Sequence, residues 1–224
     1  MKYKLKINKR CLKEFCKVND LQNITKKIAK QSNLKIYMPY STKKNFINRR
    51  VYPKNMPVLI NTEVWENLKK ANAELNTRGI KCIIYDAYRP IGVQYIFWEY
   101  YKELKNGNTD ELLVANPDKY GTHNIKIPAI DIMPANLDGS LIELPCDFDD
   151  FTGDSCVDLE EYKKNFPKLY DFITTMQKYN LIVNPSEYWH FVRNDIFEKY
   201  GLMYNFKENF DLIPLNYAKT FEII

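Results

Sequence analysis

Residues 181–193, LIVNPSEYWHFVR, contain the pattern that decides the fold we predict. Two apolar runs, at 181–183 and 187–193, flank the turn dipeptide Asn184-Pro185, and this order predicts two strands joined by a tight turn. A second hairpin is predicted at residues 129–144, where Asp138-Gly139 separates strands at 129–133 and 141–144. Because hairpins pair their strands antiparallel, the pattern indicates a mostly antiparallel sheet.

Helices are predicted before and between these strands. An apolar stripe with helical spacing follows a cap at Asn61 or Thr62 and ends at Gly79. Further helices are predicted at 21–34, at 91–105, from Pro167 onward and at 195–200, with further strands at 34–38 and 80–86. The fold class is therefore predicted to be α+β, a single domain with a central, mostly antiparallel sheet flanked by helices. We interpret residues 1–34 as a basic N-terminal extension and 35–224 as the domain.

The composition is that of a globular protein. Of 224 residues, 45% are apolar and 14% aromatic, which is enough for a core without disulfides. The net charge is +5, and ten lysines and arginines fall within residues 1–30 against Glu14 and Asp20. This segment shows no regular interleaving of aromatic and basic residues and no arginine cluster. It therefore predicts a solvated face rather than a nucleic-acid partner.

Cysteine usage and hydropathy predict a cytoplasmic protein. The five cysteines are odd in number and form no C-x-x-C pair, which favours reduced thiols. The N-terminus has no apolar run of signal-peptide length, and no 18-residue apolar span occurs. We expect neither an export signal nor an integral membrane segment, and the oligomeric state stays open.

The chain contains two histidines, His123 and His190, and each has a carboxylate nearby in the sequence. Asp131 follows His123 by eight residues, and Glu187 precedes His190 by three. Taken alone, such a histidine is more often a packed residue than a ligand. Two imidazoles and one carboxylate, however, form a ligand set that leaves zinc an open position for water. Zinc lowers the pKa of that water to about 7, and Glu187 is a candidate general base.

Two local features control where the candidate side chains point. In a regular strand, Glu187 and His190 would face opposite sides, but the Asn184-Pro185 turn lets both face one cavity. Arg89 precedes Pro90, which holds its backbone extended. A guanidinium fixed in this way can stabilise an oxyanion or bind a carboxylate. A structural ion pair with Asp86 is the alternative, and both interpretations stay open.

Three motifs together resemble a known enzyme family. They are Tyr85-Asp86-Ala87-Tyr88-Arg89-Pro90, Thr122-His123 with Ala129-Ile130-Asp131, and Ser186-Glu187-Tyr188-Trp189-His190-Phe191. In this order and at these distances they resemble the zinc D-alanyl-D-alanine dipeptidases of the D,D-peptidase family found in vancomycin-resistance systems. The resemblance covers roughly residues 35–205, and Phe148-Asp149 stands where that family has a Phe-Asp pair.

The resemblance implies a role for each candidate residue. One zinc ion would be bound by His123, Asp131 and His190, with Glu187 as catalytic base and Arg89 as transition-state stabiliser. Asp149 would receive the free ammonium group of the substrate, and Thr122 and Asp86 are further substrate-binding candidates. The implied reaction is hydrolysis of the dipeptide D-Ala-D-Ala in the cytoplasm, within peptidoglycan precursor metabolism or glycopeptide resistance. Residues 35–224 would form this dipeptidase domain.

Two departures from the family pattern lead to expectations that a structure can address. The family has seven residues from the first histidine to the aspartate and a glycine between them, whereas His123 and Asp131 are eight apart with no glycine. One extra residue in an extended segment reverses side-chain facing, so a bulge is predicted around residues 126–128. Gly121 stands where the family has a serine near the substrate carboxylate.

Three alternative functions stay open. An iron(II) oxygenase also uses two histidines and a carboxylate, although its usual His-x-Asp spacing differs from the one found here. A metal-weak relative could bind cell-wall peptides without cutting them, but it would not need a general base. A D,D- or L,D-carboxypeptidase would act on longer peptidoglycan peptides. The expected cytoplasmic location and Asp149 argue against that activity.

Overall fold

A five-stranded sheet forms the centre of the fold. The computed structural model describes residues 4–30, 33–111, 113–118, 123, 128–150, 154–200 and 216–224. The strands are β1 (Leu5–Ile7), β2 (Leu21–Asn23), β3 (Lys35–Ile36), β4 (Leu59–Asn61), β5 (Ile80–Asp86), β6 (Ile130–Asn136), β7 (Leu181–Asn184), β8 (Glu187–Arg193) and β9 (Phe221–Ile223). The helices are α1 (Lys9–Val18), α2 (Thr62–Thr77), α3 (Ile91–Leu104), α4 (Leu159–Asn165), α5 (Pro167–Lys178), α6 (Asn194–Tyr200) and α7 (Tyr217–Thr220).

The central sheet has the strand order β3-β5-β6-β8-β7. Only β3 runs parallel to its neighbour β5 among the described strands of this sheet, and the other three pairs are antiparallel. The predicted α+β class with a mostly antiparallel sheet is therefore confirmed. The hairpin of β7 and β8 is the one predicted from residues 181–193.

Helix α2 and strand β5 form the support on which one side of the candidate site is built. The Asn61 side chain caps α2 by accepting the backbone N–H groups of Glu63 and Val64. Gly79 ends the helix with a φ of +78°, a left-handed conformation that favours glycine. The chain then enters β5, against which α2 packs, and β5 ends at Asp86.

Two predicted elements are wrong. The described part of the predicted helix at 21–34, residues 21–30 and 33–34, is not α-helical: Leu21–Asn23 is β2, paired antiparallel with β4, and a short 3₁₀ turn follows at Ile28–Lys30. The irregular apolar spacing there offers no continuous face for a helix to bury. The turn at Gly139 forms, with a φ of +98°, but residues 141–144 make only the single bridge Ala135–Leu141. Leu141 is 70% exposed while Ile142 is buried in the core, but only the one bridge pairs this segment with β6.

The first residues of the chain join the same core as the rest. Helix α1, which the sequence pattern did not predict, is capped by the Asn8 side chain and buries Phe15 and Cys16. β1 pairs antiparallel with β9 at the other end of the chain. Leu5, Phe15 and Ile24 belong to the cluster of buried residues that also contains the central sheet. The division of the chain at residue 34 stays a prediction.

Candidate active site

Three potential metal ligands meet at the centre of the sheet. Asp131 in β6 and His190 in β8 are direct cross-strand partners, so their side chains project from the same face. Asp131 Oδ1 lies 3.2 Å from His190 Nδ1 and 3.7 Å from His123 Nε2. The imidazole rings of the two histidines are 4.7 Å apart between centroids. One ligand atom from each of the three residues lies within 4.8 Å of the others.

The chemistry of this group fits a metal ion. Asp131 is 2% exposed, and its Oδ1, the oxygen nearest both histidines, is buried without a hydrogen-bond partner. An unsatisfied buried carboxylate oxygen is costly, and a cation bound between the three side chains would satisfy it. Two imidazole nitrogens and one carboxylate oxygen are a ligand set that zinc uses in catalytic sites. His123, Asp131 and His190 could therefore hold a metal ion.

The extra residue between His123 and Asp131 does not keep the two side chains apart. Residues 124–127 lie outside the described part of the chain, and so does most of the bulge predicted at 126–128, which stays a prediction. The backbone of His123 is fixed from another side, because its carbonyl accepts the Arg89 N–H at 2.8 Å. This contact ties the segment before β6 to the end of β5.

An irregularity in β8 brings Glu187 to the same group. Exposure along the strand repeats every three residues: Glu187, His190 and Arg193 are partly exposed, and the residues between them are buried. The register with β7 shifts between Val183 and Asn184, next to the turn. Glu187 Oε2 consequently lies 3.6 Å from His190 Nδ1, although the two residues are three apart.

Arg89 points its guanidinium at the metal group from the end of β5. Its Nε donates to Asp86 Oδ2 at 2.8 Å, its Nη1 to Gln94 Oε1 at 2.8 Å and its Nη2 to Asp131 Oδ2 at 3.4 Å. The guanidinium also lies 5.0 Å from the centre of the Phe97 ring. The ion pair with Asp86 is thus present, and one edge of the guanidinium still faces the candidate metal ligands.

Asp86 is held by groups other than a substrate. It is completely buried, and it accepts the Tyr52 hydroxyl and the Ala87 N–H in addition to Arg89. Burial raises the pKa of Asp86 to about 6, and Arg89 opposes that rise. The contact of Asp86 with substrate stays a prediction. In the structure, the Asp86 carboxylate accepts a hydrogen bond from Arg89 Nε.

Asp149 is joined to the group through Tyr40, whose ring lies 5.5 Å from the Arg89 guanidinium. It has a left-handed φ of 61°, and its carboxylate accepts the Tyr40 hydroxyl at 2.9 and 3.1 Å. Burial raises the pKa of Asp149 well above its ordinary value, and the negative charges of Asp131 and Glu187 raise it further. The neighbouring Phe148 ring packs against Trp189 at 5.3 Å, which joins this loop to β8.

Comparison with known proteins identifies the family. The family profile of D-Ala-D-Ala dipeptidases, peptidase M15, matches residues 22–206. The chain belongs to this family. The M15 enzymes are zinc metallopeptidases, so the predicted family and enzyme class are confirmed. No individual curated protein matches the chain. Among the described residues, no helix has the length and apolar character needed to cross a membrane.

The M15 match contains every predicted site residue. His123, Asp131, His190, Glu187 and Arg89 are brought together as described above. Thr122 lies outside the described residues, so its predicted part in substrate binding stays a prediction.

Sequence reasoning missed three polar side chains of this candidate site. They are Tyr40, Tyr52 and Gln94, each hydrogen-bonded to a site residue. Gln94 sits in the first turns of α3, five residues after Arg89, and it also donates to the Ala115 carbonyl at 2.8 Å. Tyr40 and Tyr52 lie in the loop before β4, where no periodicity distinguishes them from ordinary core tyrosines.

The electrostatics of the candidate site follow from burial and from the closeness of several charged groups. Burial raises the pKa of Glu187 to about 7, a rise that His190 opposes and Asp131 reinforces. Burial lowers the pKa of His123 well below its usual value, and the charge of Arg89 lowers it further. A neutral His123 presents a lone pair, which is the form of histidine that binds metal.

Proposed function

We propose that the protein is a zinc-dependent dipeptidase that hydrolyses D-Ala-D-Ala. The observation that carries the proposal is the convergence of His123, Asp131 and His190 on one point, with Glu187 and Arg89 beside it. Membership of the M15 family supports the choice of zinc and of the dipeptide.

His123, Asp131 and His190 would hold one zinc ion. When bound, zinc supplies Lewis-acid polarisation of the scissile carbonyl and lowers the pKa of water. The side chains of this chain supply the remaining chemistry, which is proton transfer, charge stabilisation and substrate orientation.

Glu187 is proposed as the general base and then the general acid. Its carboxylate takes the proton of the attacking water and afterwards delivers it to the amine that leaves as the peptide bond breaks. The three-residue repeat of exposure in β8 supports this assignment, because it turns Glu187 toward the same side as His190. A base of this kind works best with a pKa near the operating pH.

Arg89 is proposed to stabilise the negative oxygen of the tetrahedral intermediate. Asp86 and Gln94 accept hydrogen bonds from Nε and Nη1, which fixes the orientation of the guanidinium. Because Nη2 is already oriented, no side-chain entropy is lost when it binds the negative oxygen. Asp86 would therefore act as a positioning residue for Arg89.

Asp149 is proposed to bind the free ammonium group of the substrate. The Tyr40 hydroxyl orients the carboxylate of Asp149. The negative charges of Asp131 and Glu187 raise the pKa of Asp149, which supports a location close to both residues and facing the same cleft. A carboxylate at this point favours a substrate whose amine lies one residue from the scissile bond. This preference separates a dipeptidase from a carboxypeptidase acting on long peptides. We place the reaction in the cytoplasm, in line with five free cysteines.

Metal analysis combined with a D-alanine release assay tests the proposal. The purified protein is expected to contain one zinc ion and to release D-alanine from D-Ala-D-Ala, but not from a muramyl pentapeptide ending in D-Ala-D-Ala. Glu187→Ala should keep its zinc and lose activity by at least about 10³-fold, whereas His190→Ala should lose the metal. Glu143→Ala, an exposed glutamate away from the site, is the matched control. Full activity in Glu187→Ala would contradict the mechanism, and faster cleavage of the pentapeptide would favour a carboxypeptidase.

A further inference from the structure

A cavity lies where β1 and Ile224, next to β9, meet the start of α1. Its volume is about 890 Å³, which lies within the size range of small-molecule sites. It is formed by β1, the start of α1, the segment after β2, the loop at residues 53–57 and Ile224. None of the candidate active-site residues lines it. Leu5, Ile7, Leu12 and Ile224 also lie outside residues 22–206, so much of this cavity is built from parts of the chain that the M15 match does not cover.

The cavity has an apolar floor and a cationic rim. Apolar side chains that are buried or half-buried form the floor, among them Leu5, Ile7, Leu12, Pro53 and Pro57. The rim consists of exposed lysines, namely Lys4, Lys6, Lys9, Lys26 and Lys54. No aspartate or glutamate is among the lining residues.

Most of this positive charge is uncompensated. Lys6 pairs with Glu222 at 3.3 Å, but both side chains are largely exposed. Within the described residues, the other four rim lysines make no ion pair. A neighbouring cavity of about 630 Å³ shares Lys4 and adds Lys43 and Arg50, so the basic surface continues beyond the rim. A concentration of one sign of charge at a concave surface attracts anions.

We propose that this cavity binds a single-chain anionic amphiphile, with a phosphate or carboxylate head group at the lysines and an apolar tail on the floor. Charge complementarity selects the head group, and burial of the tail against Ile7 and Leu12 supplies the hydrophobic contribution. The concave shape favours one small molecule over a flat membrane, because the floor residues Leu5, Ile7 and Leu12 are buried or half-buried rather than exposed. The lining contains no aromatic residue and no arginine, which disfavours stacked nucleic-acid bases.

Isothermal titration calorimetry of the full chain with dodecyl phosphate, kept below its critical micelle concentration, tests the proposal. Saturable binding of one molecule per chain is expected. Inorganic phosphate, which is the head group alone, and dodecyltrimethylammonium, which has the same tail with the opposite charge, should bind at least about tenfold more weakly. Comparable binding of the cationic probe would overturn the proposal, and so would binding only to vesicles containing phosphatidylglycerol.

Charge-reversal variants locate the site. Lys9→Glu combined with Lys54→Glu should weaken the binding of dodecyl phosphate by at least about tenfold, and Leu12→Gln should weaken it through the tail. The matched control is Lys70→Glu with Lys163→Glu, which reverses two exposed lysines on α2 and α4, away from the cavity. Circular dichroism melting checks that each variant is folded. Equal weakening by both charge-reversed pairs would mean that net charge, rather than this cavity, attracts the anion.

Discussion

Replacing Arg89 with methionine would remove the positive charge that compensates two buried carboxylates while retaining most of the side-chain length. Asp86 is completely buried and lies 2.8 Å from Arg89 Nε, and Asp131 lies 3.4 Å from Nη2. Removing one partner of a buried ion pair costs about 3–5 kcal/mol. We expect Arg89→Met to lower the free energy of unfolding of the metal-free protein by about that amount at pH 8.

The cost should shrink as the pH falls, because Asp86 can be neutralised by a proton. Burial already raises its pKa to about 6 against the opposing effect of Arg89, so the substitution raises that pKa further. A carboxyl group with a raised folded-state pKa stabilises the fold fully below its unfolded pKa, about 3.9, and loses this contribution as the pH rises through the folded pKa. In the variant this loss continues above pH 6, at up to about 1.4 kcal/mol per pH unit. The cost should therefore grow by up to roughly 2.7 kcal/mol between pH 6 and pH 8.

Urea unfolding in the presence of EDTA, followed by tryptophan fluorescence at pH 6 and pH 8, measures this difference. The control is Arg78→Met, since Arg78 is 40% exposed and its partner Glu74, at 2.6 Å, keeps a second cation, Lys178, also at 2.6 Å. Exposed ion pairs contribute little to stability, so no pH-dependent loss is expected there. An equal loss in Arg89→Met at both pH values would refute the reasoning. It would assign the effect to lost packing on the rings of Tyr40 and Phe97 instead of uncompensated charge.

Three further predictions concern the metal, the substrate and the packing. Zinc at a thousandfold excess over its dissociation constant should stabilise the protein by about 4 kcal/mol, which raises the melting temperature by about 10 °C. In a thermal melt of His190→Ala, zinc should no longer raise the melting temperature. Tyr40→Phe removes the hydroxyl that orients Asp149, so steady-state kinetics with D-Ala-D-Ala should show KM raised about tenfold and kcat nearly unchanged; a fall in kcat alone would contradict a role in ground-state binding. Gly92→Ala would place a Cβ 2.5 Å from Ile223 Cγ1 and should lower the free energy of unfolding in urea by about 1–3 kcal/mol. In an Ile223→Ala background the same substitution should cost less. Strictly additive losses in the double variant would show that the two side chains do not clash.

Local pattern was sufficient to predict the two strands that carry Asp131 and His190. The turn at Asn184-Pro185 and the apolar runs around it predict the β7–β8 hairpin, and the same pattern predicts that Glu187 leaves regular alternation. The pairing of Asp131 with His190 follows from sheet register, which sequence alone does not specify. The family resemblance suggested these ligands, and the structure gives their distances.

The hydrogen bonds that hold the candidate site residues could not be predicted from the sequence, because they join residues far apart in the chain. The Tyr52 hydroxyl meets Asp86 across 34 residues, and the Tyr40 hydroxyl meets Asp149 across 109. Such a contact depends on the assembled sheet and leaves no periodic trace around either tyrosine. The three-residue strands β1 and β9 also have no local sequence pattern that predicts them, because each strand is stabilised by pairing with the other, far away in the sequence.

The pairing of β1 with β9 limits the order in which parts of the fold can form. Leu5 lies opposite Ile223, so this ladder closes a loop that contains nearly the whole chain. Closing a long loop costs entropy before any contact compensates it, and β9 is the last of the described strands to be synthesised. The proposed metal ligands end at His190 and β8 ends at Arg193, both well before β9. The strands that carry Asp131 and His190 are therefore synthesised before β9, whereas the lysine-rimmed cavity, which β1 and Ile224 line, is complete only once β9 has paired with β1.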